Sequence, residues 1–217
     1  METVAENTES NHFMMRPASV LSYVLHPLLM PFYCMLVLFS LPTYLAYAFQ
    51  FKFQLLIYAM VIITTFLMPT FSAIILFKRG AITDLYLNNR HERIVPFIVT
   101  ALYYFLCYFL FTRMPVPPIV TDVILGSAVA VSIAFAITLV WKISIHMIGI
   151  GGLFGMLIAV AGRLHSDITW PLILTAVVSG LLGSARLIAG KHNAIQIYSG
   201  FIIGTLVVFG VLTFFKN

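Results

Sequence analysis

The chain has 217 residues, of which 61% are hydrophobic and 9% are charged. Because soluble domains carry about 25% charged residues, this composition excludes a soluble globular protein. The net charge of +5 comes from Lys and Arg residues that are scattered between apolar runs. They form no basic patch, so no nucleic-acid partner is expected.

Long, uninterrupted apolar runs fill most of the chain. A bilayer-spanning helix needs roughly 20 mostly apolar residues, whereas transmembrane β-strands are short and alternate in polarity. The sequence therefore predicts an all-α polytopic transmembrane bundle of six or seven spans. We expect a polar N-terminal tail over 1–20 and a single transmembrane domain over 21–217. The candidate spans are 21–49, 53–77, 94–112, 119–141, 145–163, 169–189 and 193–215.

The first candidate span is the longest, and Pro27, Pro31 and Pro42 interrupt it. Proline removes a backbone donor and breaks or kinks a helix, so we predict a kink here or an interfacial segment before the span. The preceding stretch, Met1 to Asn11, is acidic and polar, unlike a signal peptide. It is interpreted as a disordered cytoplasmic lead-in.

Polar residues concentrate at three junctions, after the second, fourth and sixth candidate spans. Two spans separate each junction from the next, so all three should reach the same face of the membrane. The candidate functional residues are Arg90 and Arg93 at the first junction, Lys142, Ser144 and His146 at the second, and Arg186, His192 and Gln196 at the third.

This set of side chains suits phosphoryl transfer at a membrane interface. Guanidinium groups donate paired hydrogen bonds to phosphate oxygens, and two histidines beside a bound phosphate can act as nucleophile and general acid. No Asp/Glu pair and no metal-ligand spacing accompanies them, so we expect neither a metal nor a cofactor. Gln196 follows His192 by four residues on one helical face and can hold one tautomer of the ring. Gly190 would allow the sharp turn that precedes His192 and the last helix.

Other features of the sequence have simpler structural interpretations. Charges at span ends commonly anchor helices at lipid headgroups, and that interpretation stays open for Arg90 and for Lys142, which follows Trp141. The pairs Gly151-x-x-x-Gly155 and Gly200-x-x-x-Gly204 indicate close helix packing. On the opposite face, we interpret four charged or titratable residues as loop residues. These are Asp122, Arg163, His165 and Asp167.

The three junctions resemble the motifs of the type 2 phosphatidic acid phosphatase superfamily, which includes acid phosphatases and haloperoxidases. Its pattern is Lys-x6-Arg-Pro, then Pro-Ser-Gly-His, then Ser-Arg-x5-His-x3-Asp. The matching segments span about residues 78–215, in the family's order. They are Arg90-x-x-Arg93-x-x-Pro96, then Ile143-Ser144-Ile145-His146, then Ala185-Arg186-x5-His192-x3-Gln196.

The resemblance implies a role for each candidate residue. His192 would attack phosphorus and form a phosphohistidine, with Gln196 in place of the Asp that orients the nucleophile. His146 would protonate the leaving group. The remaining candidates would bind the phosphate, namely Arg93, Arg186, Ser144, Lys142 and Arg90.

The expected function is therefore an integral membrane phosphatase, in the cell's inner membrane, that hydrolyses a lipid phosphate or diphosphate. Two alternatives stay open: a non-catalytic member that binds lipid phosphate or a partner protein, which Gln196 favours, and a lipid phosphotransferase. Eight of the 12 Lys and Arg residues fall on the face of the clusters. That bias is typical of a cytoplasmic face, but if Arg93, Lys142 and Arg186 are there for phosphate the margin falls to five against four, and the side stays open.

Overall fold

The structure is a computed structural model that describes residues 17–84 and 91–215. Those residues form helices joined by short turns, without strands, and seven of the helical segments are long and apolar enough to cross a membrane. The protein is thus an all-α multi-pass membrane bundle. The helices are α1 (17–24), α2 (Met30–Ser40), α3 (Tyr44–Ala48), α4 (Phe51–Ile62), α5 (Met68–Lys78), α6 (Ile94–Phe111), α7 (Pro118–Val140), α8 (Ile145–Leu164), α9 (Thr169–Ile188) and α10 (Ala194–Phe214).

The last six candidate spans are confirmed, with bounds within two residues of those predicted, and the first is corrected. It runs from Pro17 to Ser40 rather than over 21–49. Helix α2 ends because Leu41 is extended (ψ 144°) and Pro42 has no N–H with which to continue the ladder, so α3 is a separate short helix. The predicted tail overlaps α1 at 17–20, and its residues 1–16 lie outside the described residues.

The predicted kink in the first span is confirmed, and it lies against an irregular turn in the second span. Helix α1 stops before His26 (ψ 135°), and a 3₁₀ turn over Pro27–Leu29 leads into α2. The second span joins α4 to α5 through a π-helical turn over Ile63–Leu67, a feature frequent at functional sites. The Thr65 hydroxyl in this turn donates chiefly to the Val61 carbonyl at 2.8 Å and also lies 3.3 Å from the Leu28 carbonyl. The two irregular backbone segments therefore support each other.

Helices α8 and α10 pack backbone to backbone, as the glycine spacing predicts. A β-carbon on Gly204 would overlap the Ile148 carbonyl, and one on Gly151 would overlap the Phe201 carbonyl. At Gly200 the β-carbon would lie 2.7 Å from the Ser144 carbonyl oxygen. Only glycine permits this approach, which brings the start of α10 against the start of α8.

The interpretation of Asp122 and Arg163 as loop residues is wrong. Asp122 lies in α7 and is fully buried, and Arg163 lies in the last turn of α8. Arg163 Nη1 donates to Asp122 Oδ2 at 2.6 Å and to the Leu212 carbonyl at 2.9 Å. A carboxylate can be buried in a span when an opposite charge neutralises it, so this pair joins α7, α8 and α10 at the end of the bundle away from the clusters. His165 and Asp167 do lie between helices.

Candidate functional site

The third junction is a tight turn between α9 and α10. Arg186 lies in the last turn of α9, and Gly190 adopts a left-handed conformation (φ +61°) that reverses the chain, as predicted. Asn193 then caps α10 by accepting from the Gln196 N–H at 2.9 Å, and Gln196 Oε1 accepts from the Asn193 N–H at 3.2 Å. This capping box fixes the side chain of Gln196 beside His192.

The capping box also fixes the tautomer of His192. A backbone N–H can only donate, so the Gln196 atom that faces Asn193 must be the amide oxygen. The same oxygen lies 3.2 Å from His192 Nδ1, and the ring must therefore donate to it from Nδ1–H. In the neutral imidazole, this leaves the lone pair on Nε2. The predicted contact is present, and it leaves the lone pair of Nε2 directed away from Gln196.

His192 stays neutral over a wide pH range. Its pKa is lowered to about 4, chiefly by burial and further by the positive charges of Arg186, Lys142 and Arg93, against an opposing contribution from the Gln196 bond. At neutral pH the ring therefore carries an available lone pair. The same electrostatics show that cations from all three junctions lie close enough to act on this imidazole.

The second junction lies directly against the third. Helix α7 ends at Val140, and Ser144 occupies the N-cap position of α8. The Ser144 N–H donates to the Gln196 carbonyl at 3.4 Å, across the glycine contact at Gly200. The Ser144 side chain is fully buried, and its hydroxyl has no hydrogen-bond partner among the described residues. Buried polar atoms are almost always paired, so this hydroxyl is suited to a ligand.

His146 and Arg186 meet at helix α1. The Nε2–H of His146 donates to the Ser22 carbonyl at 3.2 Å, since a carbonyl only accepts. Arg186 Nη1 donates to the Ser22 hydroxyl at 3.5 Å, while the buried Nε of Arg186 has no partner in the described part of the chain. The ring centroids of His26 and His146 are 6.0 Å apart, so the break in the first span also borders the site.

The first junction contributes Arg93. This residue precedes α6, and burial lowers the pKa of its guanidinium. The neighbouring Glu92 accepts from the Thr83 N–H at 2.6 Å and from its hydroxyl at 2.9 Å, which ties the junction's two ends together. Arg90, the other predicted phosphate ligand here, lies outside the described residues.

The cations of the three junctions act on one another. The pKa of the Lys142 ammonium is lowered by burial and by the charges of Arg93, Lys191 and Arg186. Like charges held this close repel, and a multivalent anion between them would remove that cost. Seven of the eight predicted site residues lie in the described ranges, and the fold brings all seven to one end of the bundle. Headgroup anchors would lie at the same end, but anchoring does not explain the buried Ser144 hydroxyl and Arg186 Nε, which have no partner among the described residues.

Three further residues border the site. Ser22 holds His146 and Arg186, His26 lies beside His146, and Asn193 completes the capping box. Asn193 followed three residues later by Gln196 is a recognisable capping pattern. A histidine inside an apolar span is a weaker signal for His26, and no signal in the sequence singles out Ser22.

Comparison of this chain with protein-family models, with curated proteins and with solved structures finds no match to any of them.

Proposed function

We propose that this protein is a membrane lipid-phosphate phosphatase that works through a phosphohistidine without a metal. One observation carries the proposal: a neutral histidine with its lone pair on Nε2 lies among cations from three separate junctions. Those cations suit a phosphate, and the imidazole suits attack on its phosphorus. The family resemblance of the three motifs assigns the same roles to these residues.

In the proposed reaction, His192 Nε2 attacks phosphorus, a P–N bond forms and the bond to the lipid oxygen breaks. A protonated His146 gives its proton to the departing oxygen, so the lipid leaves as an alcohol or as a shorter phosphate. Water then attacks the phosphohistidine, His146 takes up the proton, and phosphate leaves. Arg93, Arg186 and Lys142 balance the phosphate charge throughout, and Ser144 donates its hydroxyl.

The surroundings favour a lipid over a soluble phosphate ester. The cluster lies where the spans end, so a headgroup reaches it while its tail remains among apolar residues. A narrow apolar cleft within the bundle is lined by the chain neighbours of the two histidines, Pro27 and Ile145, among others.

Phosphate release from several lipid phosphates and diphosphates, measured on purified protein without added metal, tests the activity. The wild type should release phosphate, and His192→Ala should lose all turnover. A His192→Ala variant that hydrolyses the same substrates at the wild-type rate would contradict the role of this residue.

A second candidate function is binding of lipid phosphate without hydrolysis, and Gln196 favours it. A neutral amide orients the imidazole but adds no negative charge to stabilise the imidazolium that forms during attack. In a protease triad, the corresponding loss of a carboxylate costs roughly 10⁴ in turnover. A wild type that binds lipid phosphates tightly and releases no phosphate from any of them would establish this second function.

A further inference from the structure

Helix α1 contacts two residues of the candidate site through one of its own. The Ser22 carbonyl accepts from His146 at 3.2 Å, and the Ser22 hydroxyl accepts from Arg186 at 3.5 Å. These partners are 124 and 164 residues away along the chain, so no local geometry imposes either contact. Ser22 thus presents two oxygens to an imidazole and a guanidinium, the same pair of donors that two phosphate oxygens would use.

Both contacts are of a kind that phosphate can replace. Ser22 is uncharged, and the 3.5 Å distance to Arg186 is long for a hydrogen bond. The Ser22 hydroxyl also gives its own hydrogen to the Ala18 carbonyl at 2.9 Å. A bond from a guanidinium to phosphate is roughly twice as strong as one between neutral groups, and it would also occupy the unpartnered Nε of Arg186.

The chain can bend immediately after α1. Leu25 makes the helix's last backbone bond, to Leu21, and the extended His26 followed by Pro27 stops the ladder. On the far side of this break the chain is held by the 3₁₀ turn over Pro27–Leu29 and by Met30, which is buried in the cluster with Met147 and Leu182. The break therefore separates this segment from the short helix α1, and the Tyr33 hydroxyl of α2 donates to the Val24 carbonyl at 2.8 Å across it. Rotation of α1 would have to release that bond.

Helix α1 has one face packed against the bundle and one face exposed. Leu21 and Leu25 pack inward on the buried cluster that contains Met147 of α8 and Leu182 of α9. On the outer side, Val20 and Tyr23 are each about three-fifths exposed, at 61% and 59%. The helix thus covers the site on the side where Met147 of α8 and Leu182 of α9 lie.

We infer that α1 is a hinged cover of the candidate phosphate site, an inference that rests on the proposed function. Ser22 holds His146 and Arg186 while the site is closed. The headgroup of a lipid phosphate displaces both Ser22 oxygens from these two donors. Helix α1 then rotates at His26 and Pro27 and admits the lipid from the side.

The Ser22→Ala variant tests the cover by the sign of its effect. Removing the competing hydroxyl should tighten binding of inorganic phosphate by about three- to ten-fold, the worth of one neutral hydrogen bond. Equilibrium dialysis of the detergent-solubilised protein with radiolabelled phosphate measures this. Ser40→Ala is the matched control, since its hydroxyl makes the same bond to the carbonyl four residues earlier but lies at the other end of the first span. That control should not change phosphate binding.

Opening itself is measured with a Leu21→Cys variant and a soluble maleimide. Phosphate should speed the labelling of this inward-facing position several-fold, and should not change the labelling of Ser40→Cys. The native Cys34 and Cys107 are buried and give a low background.

Arg186→Lys separates failure of the cover from failure of the site. If Arg186→Lys weakens phosphate binding while Ser22→Ala weakens it or leaves it unchanged, the site stands and the cover is wrong. If the wild type and both variants fail to bind phosphate, the cover and the proposed function fall together. Tighter binding by Ser22→Ala without any hydrolysis of lipid phosphates supports the cover and contradicts the phosphatase.

Discussion

The pairing of His192 with Gln196 decides much of the chemistry at the level of single residues. The amide oxygen is occupied by two donors, the Asn193 N–H and the ring Nδ1–H, and it cannot turn away without breaking the helix cap. The proposed nucleophile is therefore oriented by a group whose own position is fixed by helix formation. Because the amide is neutral, Gln196 does not supply the negative charge that would stabilise an imidazolium at His192.

A Gln196→Glu variant should supply that charge without changing the geometry. Glutamate matches glutamine in length and is equally suited to the capping box. Its carboxylate stabilises the imidazolium, so we expect the pKa of His192 to rise from about 4 and turnover to rise on the order of 10²-fold. Titration of the ring by nitrogen-15 NMR measures the pKa, and phosphate release measures turnover.

The direction of the pH dependence follows from the lowered pKa. Wild-type His192 should stay neutral as the pH falls from 7 and become protonated only near pH 4, whereas the imidazole of the variant should take up its proton at a higher pH. Gln196→Ala is the control, because it removes a bond that favours the protonated ring and should lower the pKa further. An unchanged pKa in Gln196→Glu would show that Gln196 does not contact the ring.

The candidate residues could be predicted from the sequence, but their partners could not. His192, His146 and Arg186 stand out because ionisable groups are rare in this chain and their spacing matches a motif. Ser22 resembles any other helical serine, and its role depends on a contact across 164 residues. The prediction for Asp122 is wrong for the same reason, since its partner Arg163 is 41 residues away.

At the level of helices, the packing of α8 against α10 holds the second and third junctions together. Gly200 and Gly204 face the backbone of α8. The Thr205 hydroxyl shares its hydrogen between the Phe201 carbonyl at 2.9 Å and the Gly151 carbonyl of α8 at 3.1 Å. The spacing of small residues predicted this contact. The π-helical turn at Ile63–Leu67 has no comparable pattern, and it was not predicted.

A Gly204→Ala substitution should separate these helices. Its β-carbon would overlap the Ile148 carbonyl, and backbone cannot move aside as a side chain can, so we expect destabilisation of about 1–3 kcal/mol. Phosphate binding should also weaken, because α10 carries Gln196. Thermal unfolding in detergent measures the first effect and equilibrium dialysis the second.

Gly210→Ala is the matched control on the same helix. No atom lies within 4 Å of its added β-carbon among the described residues, so stability should not fall. Because alanine favours the helix more than glycine does, propensity alone should raise the stability of both variants. Equal losses from the two substitutions would therefore contradict close packing at Gly204 as the cause.

At the scale of the whole molecule, two polar features lie at opposite ends of the seven-span bundle. The candidate site lies at one end, and the ion pair between Asp122 and Arg163 lies at the other. This separation was largely predictable, because span number alone decides which junctions share a face. The break at His26 was expected from the prolines, but its position beside His146 depends on tertiary packing.

Cysteine labelling tests this arrangement in intact membranes. Ala81→Cys and Lys191→Cys should react with an impermeant maleimide from the same side, and Arg113→Cys should react from the other. The physical reason is the even number of spans between the first two positions. Labelling of Ala81→Cys and Lys191→Cys from opposite sides would exclude a site shared by the first and third junctions.

The most direct test of the central claim is to trap phosphate on His192. A radiolabelled lipid phosphate with a good leaving group should transfer its label to the wild-type protein in an early burst that survives an alkaline quench. His146→Ala should accumulate more label, because loss of the proton acceptor slows hydrolysis of the intermediate more than its formation from such a substrate. His192→Ala should carry none. Hydrolysis by the wild type without any label on His192 would contradict the account.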